Sequence, residues 1–229
     1  MDTEEKFVFI SGLLCEPTRA RMLWNLLDGR AYTATELATA ADISTTSASN
    51  HLSRLLEADI LKVETQGRHR YYNFFSSEVA YVVESLANLA KADRSTKSPN
   101  AAPGKGIHYC RTCYDHMAGY VGVQITEAME TKDYLQKSDS VYLVTEKGWE
   151  WLSQFSITAD SLPATRRPLT RQCLDWSERR PHLAGQLGAL LLEKMLQKGW
   201  FRKVQFSREL IVTSHGAQSL YEILGITLQ

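Results

Sequence analysis

Residues 43–75 read ISTTSASNHLSRLLEADILKVETQGRHRYYNFF, and this stretch decides the fold. Ser44 is a helix N-cap residue, and Ala48, Leu52, Leu55 and Leu56 recur at i, i+4, i+7 and i+8, which gives the following helix one apolar stripe. The opposite face carries Thr45, Thr46, Ser49, Asn50 and Ser53, with Ser47, His51 and Arg54 beside them. Short donor and acceptor side chains of this kind fit a major groove and can meet base edges and phosphates. Ala58-Asp59 suits a left-handed turn, because Asp tolerates that conformation better than most residues, and Ile60 re-enters the core. Residues 61–65 and 70–75 are rich in β-formers and flank Gln66-Gly67-Arg68-His69, a hairpin tip where Gly supplies the turn. Arg68, His69 and Arg70 at that tip could straddle a phosphate backbone. Taken singly, each half reads as a surface helix or a solvated basic turn; in succession they read as a DNA-reading head.

The residues upstream extend the same pattern. Residues 7–14 form a short apolar helix, expected to pack on its symmetry mate. Glu16-Pro17 opens a second helix with Pro at its first position, and Ala20, Leu23, Trp24 and Leu27 form the expected buried stripe before Gly29. Thr33-Ala34-Thr35-Glu36 is a capping box for a third helix whose Leu37 and Ala41 face inward. Asp42-Ile43 then turns into the reading helix. Helix, helix, turn, helix, hairpin is the order of a winged helix-turn-helix.

Glu16-Pro17-Thr18-Arg19, Glu36-Leu37-Ala38, the run from Ser47 to Leu55 and the wing Gly67-Arg68-His69-Arg70-Tyr71-Tyr72 together resemble the ArsR/SmtB family of bacterial repressors, over roughly residues 5–92. The resemblance implies a homodimer, built through the first and last helices of the domain, that binds a palindromic double-stranded DNA operator and is released by a chemical signal. Two departures matter. Ala38-Thr39-Ala40 stands where thiolate sensors of that family carry cysteines, and the last helix, residues 77–92, has Glu78 and Glu84 but no His. The family's two familiar metal sites are therefore not supported. Val79, Val82, Val83, Leu86 and Leu89 make that helix a dimer arm, a reading compatible with ordinary core.

Composition bounds the rest. The 229 residues, 44% of them hydrophobic, can bury a full core and have room for one large or two small domains. No apolar run approaches a membrane span, and the acidic N-terminus lacks the features of a signal peptide, so a cytoplasmic protein with no membrane partner is expected. Lys plus Arg equal Asp plus Glu at 26 each, and the first 95 residues are net acidic, so DNA affinity must come from a small local patch. Cys15, Cys110, Cys113 and Cys173 do not make a secreted disulfide framework; reduced thiols or metal ligands fit better.

Residues 93–106 carry Pro, Gly, Ser and charge without apolar periodicity, which marks a linker between a DNA-binding and dimerisation domain (1–92) and a C-terminal sensory or assembly domain (107–229). The latter contains a weak internal repeat, about 113–157 and 173–226. Cys113-Tyr114-Asp115-His116, then Ala118-Gly119 and Gly122, recurs as Cys173-Leu174-Asp175, then His182, Ala184-Gly185 and Gly188. Val144-Thr145 with Gly148 and Leu152 recurs as Val212-Thr213 with Gly216 and Leu220, each a strand running into a Thr-capped helix. In the second copy residues 181–197 read as an apolar helix, 200–205 and 208–212 as a hairpin and 214–224 as a closing helix, a winged-helix half without a reading helix. The Ala-Gly-x-x-Gly segments read as close helix-packing surfaces. The fold class expected is mainly α with small β-hairpins (α+β), a winged helix-turn-helix followed by a duplicated winged-helix-like domain.

His108, Cys110, Cys113, Asp115, His116, Cys173 and His182 are the chemically suggestive residues. Cys110, Cys113 and His116 have a spacing that zinc or another thiophilic metal could use, and Cys113, Cys173, His116 and His182 occupy equivalent places in the two copies, where they could bind a metal or pair oxidatively. The same Cys-x-x-Cys suits a redox pair, and buried small hydrophobes with backbone-bonded histidines would need no cofactor at all. The function expected is a sequence-specific regulator, a repressor released by a thiol-reactive species, a metal or a small-molecule effector sensed after the linker. The alternatives are a thiol-dependent enzyme using Cys113 and His116, for which no phosphate loop or further catalytic pattern is present, and a protein-interaction adaptor.

Overall fold

The structure, a computed structural model, describes residues 2–90 and 105–228. The chain divides into two compact units, Met1–Ala87 and Asn88–Gln229. Most of the linker expected over 93–106, and the last two positions of the expected dimer arm, lie outside the described residues.

The first unit runs α1 (Thr3–Leu14), α2 (Pro17–Leu26), β1 (Tyr32–Thr33), α3 (Ala34–Ala41), α4 (Thr45–Glu57), β2 (Leu61–Gln66), β3 (His69–Phe74) and α5 (Ser77–Ala90). Local chemistry fixes its corners. Asp2 and Glu5 form a capping box that starts α1 earlier than residue 7, and the Glu16 carboxylate accepts the backbone N–H groups of Thr18 (3.0 Å) and Arg19 (2.8 Å) to cap α2. Thr33 and Glu36 form the expected capping box of α3, while Asp42 and Asp59 take the left-handed turns at φ 56° and 53°. Leu23, Leu26, Leu37, Leu52, Leu55 and Phe74 are all but fully buried, and each such side chain contributes about 1.5–3 kcal/mol of transfer free energy. The stripe of α2 differs from expectation. Arg19, Met22, Leu23 and Leu26 turn inward, whereas Ala20 is exposed and Trp24 is 39% exposed. The Arg19 guanidinium is taken up by carbonyl groups of α1 and by His51. A short strand, β1, also escaped sequence reading; it pairs antiparallel with β3 through Tyr32↔Tyr72 and Thr33↔Tyr71, so the wing is a three-stranded sheet of order β1-β3-β2.

The second unit runs through one order of elements twice. The first copy is β4 (Arg111–Cys113), β5 (His116–Ala118), α6 (Gly119–Thr131), β6 (Leu135–Ser138), β7 (Val141–Val144) and α7 (Glu146–Ser153). The second is β8 (Arg171–Leu174), β9 (Pro181–Ala184), α8 (Gly185–Gln197), β10 (Phe201–Lys203), β11 (Leu210–Val212) and α9 (Ser214–Leu224). Each copy is hairpin, helix, hairpin, helix, the second helix capped by Thr145 or Thr213 through a 2.9 Å bond from the N–H of Gly148 or Gly216. The helix expected over 181–197 starts only at Gly185, because Pro181–Ala184 pairs with Arg171–Leu174 as β9. Gly119 and Gly185, at φ 79° and 86°, make the strand-to-helix corner in the two copies, a left-handed corner that a Cβ would strain. Gly122 and Gly188 are close-approach positions as expected, but what they approach is the backbone of the preceding strand: an added Cβ would sit 2.7 Å from Met117 O and 2.5 Å from Leu183 O.

The two copies interlock. Thr112 N donates to Arg208 O (2.8 Å) and Leu210 N to Cys110 O (2.9 Å), so β4 of the first copy runs beside the second copy's hairpin β10–β11. Gln172 N donates to Ser140 O (2.8 Å) and Tyr142 N to the Thr170 hydroxyl (3.0 Å), so β8 of the second copy runs beside the first copy's hairpin β6–β7. Between them lies one apolar core with Val121, Ile125 and Met129 of α6 and Leu187, Leu191 and Met195 of α8.

Candidate functional site

Ser44 caps α4 by accepting the backbone N–H of Ser47 at 3.2 Å, and Ala48, Leu52 and Leu55 bury its apolar stripe. Burial of that stripe turns the polar face outward: Thr45, Thr46, Ser49, Asn50, Ser53 and Arg54 are exposed, while Ser47 and His51 are half-buried. The Ser49 hydroxyl donates to Thr45 O at 2.9 Å, which steadies it. A surface depression lined by Ser47, Asn50, His51, Ser53, Arg54 and Glu57 follows this face. His51 also serves another purpose. Its Nδ1 lies 3.3 Å from Arg19 Nη1 and 3.6 Å from a Glu16 carboxylate oxygen, and the buried Arg19 donates to Leu13 O (2.7 Å) and Gly12 O (3.0 Å). One knot thus ties α1, the cap of α2 and α4, leaving a single His51 ring nitrogen for an outside partner. Alternating polarity gave no sign of it.

The wing is tighter than the sequence implied. Strand pairing continues to Gln66↔His69, leaving Gly67-Arg68 as a two-residue turn with Gly67 at φ 59° in the first central position, the sign a type II′ turn requires. Arg68, His69 and Arg70 are exposed. Arg68 Nε stands 3.5 Å from His69 Nε2, and the Arg70 guanidinium lies 5.6 Å from the Tyr72 ring centroid, which directs it along the strand.

In the second unit, the register of the two hairpins places Cys113 opposite His116 and Cys173 opposite His182. The interlocking of the copies then brings all four together: one ligand atom from each lies within 4.8 Å of the others. The two sulfurs are 3.8 Å apart and the imidazole rings stack at 5.1 Å between centroids. All four are buried, His116 to 4% and His182 to 1% exposure. Cys110 does not join them. Its side chain sits in the apolar core, where burial pushes its thiol pKa up, so the Cys110-x-x-Cys113 spacing is not the operative one. His108 packs edge-on to Trp176, 5.0 Å between centroids, also outside the cluster.

Behind each imidazole stands a carboxylate, and only one of the two was singled out by the sequence. His116 Nδ1 donates to Asp115 at 3.2 Å, and His182 Nδ1 lies 3.5 Å from Asp175. Each carboxylate also meets an arginine from outside its own copy: Arg167, from the segment between the copies, on Asp115 at 2.5 Å, and Arg111 of β4 on Asp175 at 2.8 Å. Burial opposes ionisation of Asp115, yet the hydrogen bonds from His116 and Arg167 hold its pKa down to about 2. Burial likewise disfavours the His116 imidazolium, but the Cys113 sulfur and the Asp115 carboxylate push its pKa up to about 9. Asp175 is buried, and Arg111 and His182 hold it well below the usual carboxylate range. The signal that marks Asp175 is the repeat itself, Cys-x-Asp in both copies. Neither Cys113 nor His116 presents a reactive atom to solvent, which is the geometry of an interior centre. A neighbouring cavity lined by Met117, Gly122, Ile125, Leu183 and Leu191 holds about 20 Å³, room for one water.

The family model of a helix-turn-helix domain matches residues 14–64. The HTH-type transcriptional regulator YdfF of Bacillus subtilis (strain 168) is 39% identical over 219 residues, covering 96% of this chain and 97% of its own length. Among solved structures, the homodimeric winged helix-turn-helix DNA-binding domain Mb0332 of Mycobacterium bovis, named there as a possible ArsR-family regulator, is 22% identical with a TM-score of 0.35, covering 38% of this chain and 79% of that one. The cadmium sensor CMTR of Mycobacterium tuberculosis is 29% identical with a TM-score of 0.31, covering 42% of this chain and 97% of that one. No helix among the described residues is long and apolar enough to cross a membrane. The likeness to YdfF runs through both units, and the chain belongs to the HTH-type transcriptional regulators, with a DNA-binding winged helix-turn-helix that resembles the ArsR/SmtB kind.

Proposed function

We propose that the protein is a homodimeric repressor that acts in the cytoplasm, reads a palindromic operator with α4 and its wing, and is released by a chemical signal sensed in the second unit. The observation that carries the reading is the polar face of α4, exposed along its length, beside a two-residue basic wing tip, in a unit that is otherwise net acidic. Such a local patch gives weak non-specific affinity and leaves discrimination to groove contacts. Thr45, Thr46, Ser49, Asn50 and Ser53 are the base- and phosphate-facing set, with Ser47 and His51 at its margin, and Arg54, Arg68, His69 and Arg70 supply phosphate contacts. Dimerisation is supported by apolar groups that a monomer leaves in water: Phe7 and Val8 on α1 are 70% and 63% exposed, and Val82 and Leu89 on α5 are 51% and 72% exposed.

The test is anisotropy titration of the full chain against the DNA upstream of its own gene at several salt concentrations, with transcription from that DNA followed in parallel. Saturable binding that a scrambled duplex does not reproduce, together with reduced transcription, is the expected result. Equal affinity for both duplexes would remove the reading.

A further inference from the structure

The geometry points to Cys113, His116, Cys173 and His182 as a closed tetrahedral site for a divalent thiophilic cation, zinc first, built where the first hairpins of the two copies meet. It goes beyond the proposed function, because it concerns coordination in the second unit and stands whether or not DNA is bound.

Four observations converge. The first is spacing. Tetrahedral coordination with zinc–sulfur bonds of about 2.3 Å separates two thiolates by roughly 3.8 Å, and the sulfurs of Cys113 and Cys173 are 3.8 Å apart. A disulfide would require them to close to about 2.05 Å.

The second is the state of the imidazoles. Nδ1 of His116 bonds Asp115 and Nδ1 of His182 faces Asp175 at 3.5 Å without a hydrogen bond, while Nε2 of both His116 and His182 is buried without a hydrogen-bond partner among the described residues. Burying an unsatisfied nitrogen costs on the order of 1–3 kcal/mol, and a cation on Nε2 would remove that cost at both rings. Carboxylate behind imidazole is also the arrangement that fixes a metal-binding histidine in the right tautomer and orientation. A disulfide between the cysteines would leave both rings without a partner.

The third is charge. Arg167 balances Asp115 and Arg111 balances Asp175. Coordination by the two cysteines as thiolates would bring two negative charges into this interior, which a divalent ion cancels and a monovalent one does not, and an uncompensated buried charge is strongly disfavoured. The fourth is saturation. Two sulfurs and two nitrogens complete a tetrahedron and leave no open position, the pattern of a structural or sensing site rather than a hydrolytic one.

The test uses the full chain purified anaerobically with reductant. After chelator treatment it is titrated with Zn²⁺ against a chromophoric competitor, and with Co²⁺ followed by visible absorption. A single high-affinity equivalent of Zn²⁺ per chain is expected, with Co²⁺ giving the intense d–d bands of tetrahedral geometry and a thiolate-to-cobalt charge-transfer band. Cys113→Ser and Cys173→Ser should each abolish the charge-transfer signature or halve it and remove stoichiometric binding, whereas Cys15→Ser, an exposed cysteine outside the cluster, should change nothing. Asp115→Asn should weaken Zn²⁺ about 10–100-fold, as expected for the partner of a ligating histidine. Should a serine variant fail to fold, the wild-type Co²⁺ spectrum and the Asp115→Asn affinity still decide. Octahedral Co²⁺ bands, less than stoichiometric Zn²⁺, or an Asp115→Asn chain that binds as the wild type does would each overturn the site. So would two wild-type thiols that titrate as a disulfide despite the reductant.

Discussion

Cys113 Sγ lies 3.8 Å from Cys173 Sγ across 60 positions of chain. Neither hairpin brings this about alone. Each pairs its own cysteine with its own histidine, and the approach of the sulfurs follows from the way each copy's first hairpin lies against the other copy's second, β4 beside β10–β11 and β8 beside β6–β7. A contact made this way reports how the two copies are docked, which is why it can couple chemistry at the cluster to the packing of the copies.

Two kinds of substitution should separate affinity from specificity on the DNA-reading face. Arg68→Ala should weaken binding to all sequences and lower the log–log salt slope by about one to two in a dimer, because each lost phosphate contact occurs twice. Asn50→Ala should cost about 1–3 kcal/mol per half-site and flatten the base preference, as a lost base contact does. Operator-variant titrations at two salt concentrations measure both. Unchanged discrimination in the Asn50 variant would take it out of the base-reading set.

How much of this was legible follows from which interactions are local. Caps and turns are decided within four residues, so Thr33 with Glu36, Ser44, Asp42 and Asp59 could be read directly, as could the Thr145 and Thr213 caps. The α4 stripe and the wing follow from periodicity. Arg19 could not be read that way: its burial depends on the carbonyl groups of Gly12 and Leu13 and on His51 from another helix. Pro181–Ala184 reads as helix in the sequence because Leu183 and Ala184 lead directly into the apolar run of α8, and only the partner strand Arg171–Leu174 decides otherwise. At the Cys/His cluster the repeat made equivalence of Cys113 with Cys173 and of His116 with His182 visible. The arginines that meet the carboxylates do not correspond: Arg111 matches Arg171, two residues before the cysteine of each copy, whereas Arg167 lies between the copies, so the repeat does not mark the two as partners of the carboxylates.

Arg111 should prove one of the most stability-sensitive side chains of the second unit. Its guanidinium is fully buried, lies 3.9 Å from the Trp176 ring centroid and pairs with the equally buried Asp175, which also accepts the Gly119 N–H at 2.7 Å. Arg111→Met should cost about 3–5 kcal/mol near neutral pH, because it strands a buried carboxylate. The pH dependence has a definite sign. In the wild type the Asp175 pKa is depressed, so its contribution is present above the unfolded value of about 3.9 and fades as pH falls below it. In the variant, burial unopposed by Arg111 raises that pKa, so protonation relieves the penalty and the gap between the two proteins narrows toward acid. Urea unfolding at neutral pH and at pH near 4 checks this. A gap that widens in acid would contradict it.

Removing the chain after residue 92 should leave a dimer that binds the operator with near wild-type affinity and no longer responds to metals or oxidants. The reading helix, wing and apolar faces of α1 and α5 all precede that point. Sedimentation and anisotropy on the same preparation decide. A monomeric fragment would place assembly in the second unit.

The last expectation joins the two units thermodynamically. If the ion on Cys113, His116, Cys173 and His182 is the signal, loading it must change operator affinity, and couplings of this kind are typically about 1–3 kcal/mol, or about 5–150-fold. Linkage then demands the reciprocal: saturating operator DNA must change Zn²⁺ affinity of the full chain by the same factor. A chelator effect that acts on DNA or on aggregation would not show that symmetry. The Cys113→Ser/Cys173→Ser chain and the fragment of residues 1–92 should each bind operator with an affinity independent of Zn²⁺. Stoichiometric Zn²⁺ on the wild type with identical operator affinity in the loaded and stripped states would make the ion a structural brace between the copies, and the repressor's signal would have to act elsewhere.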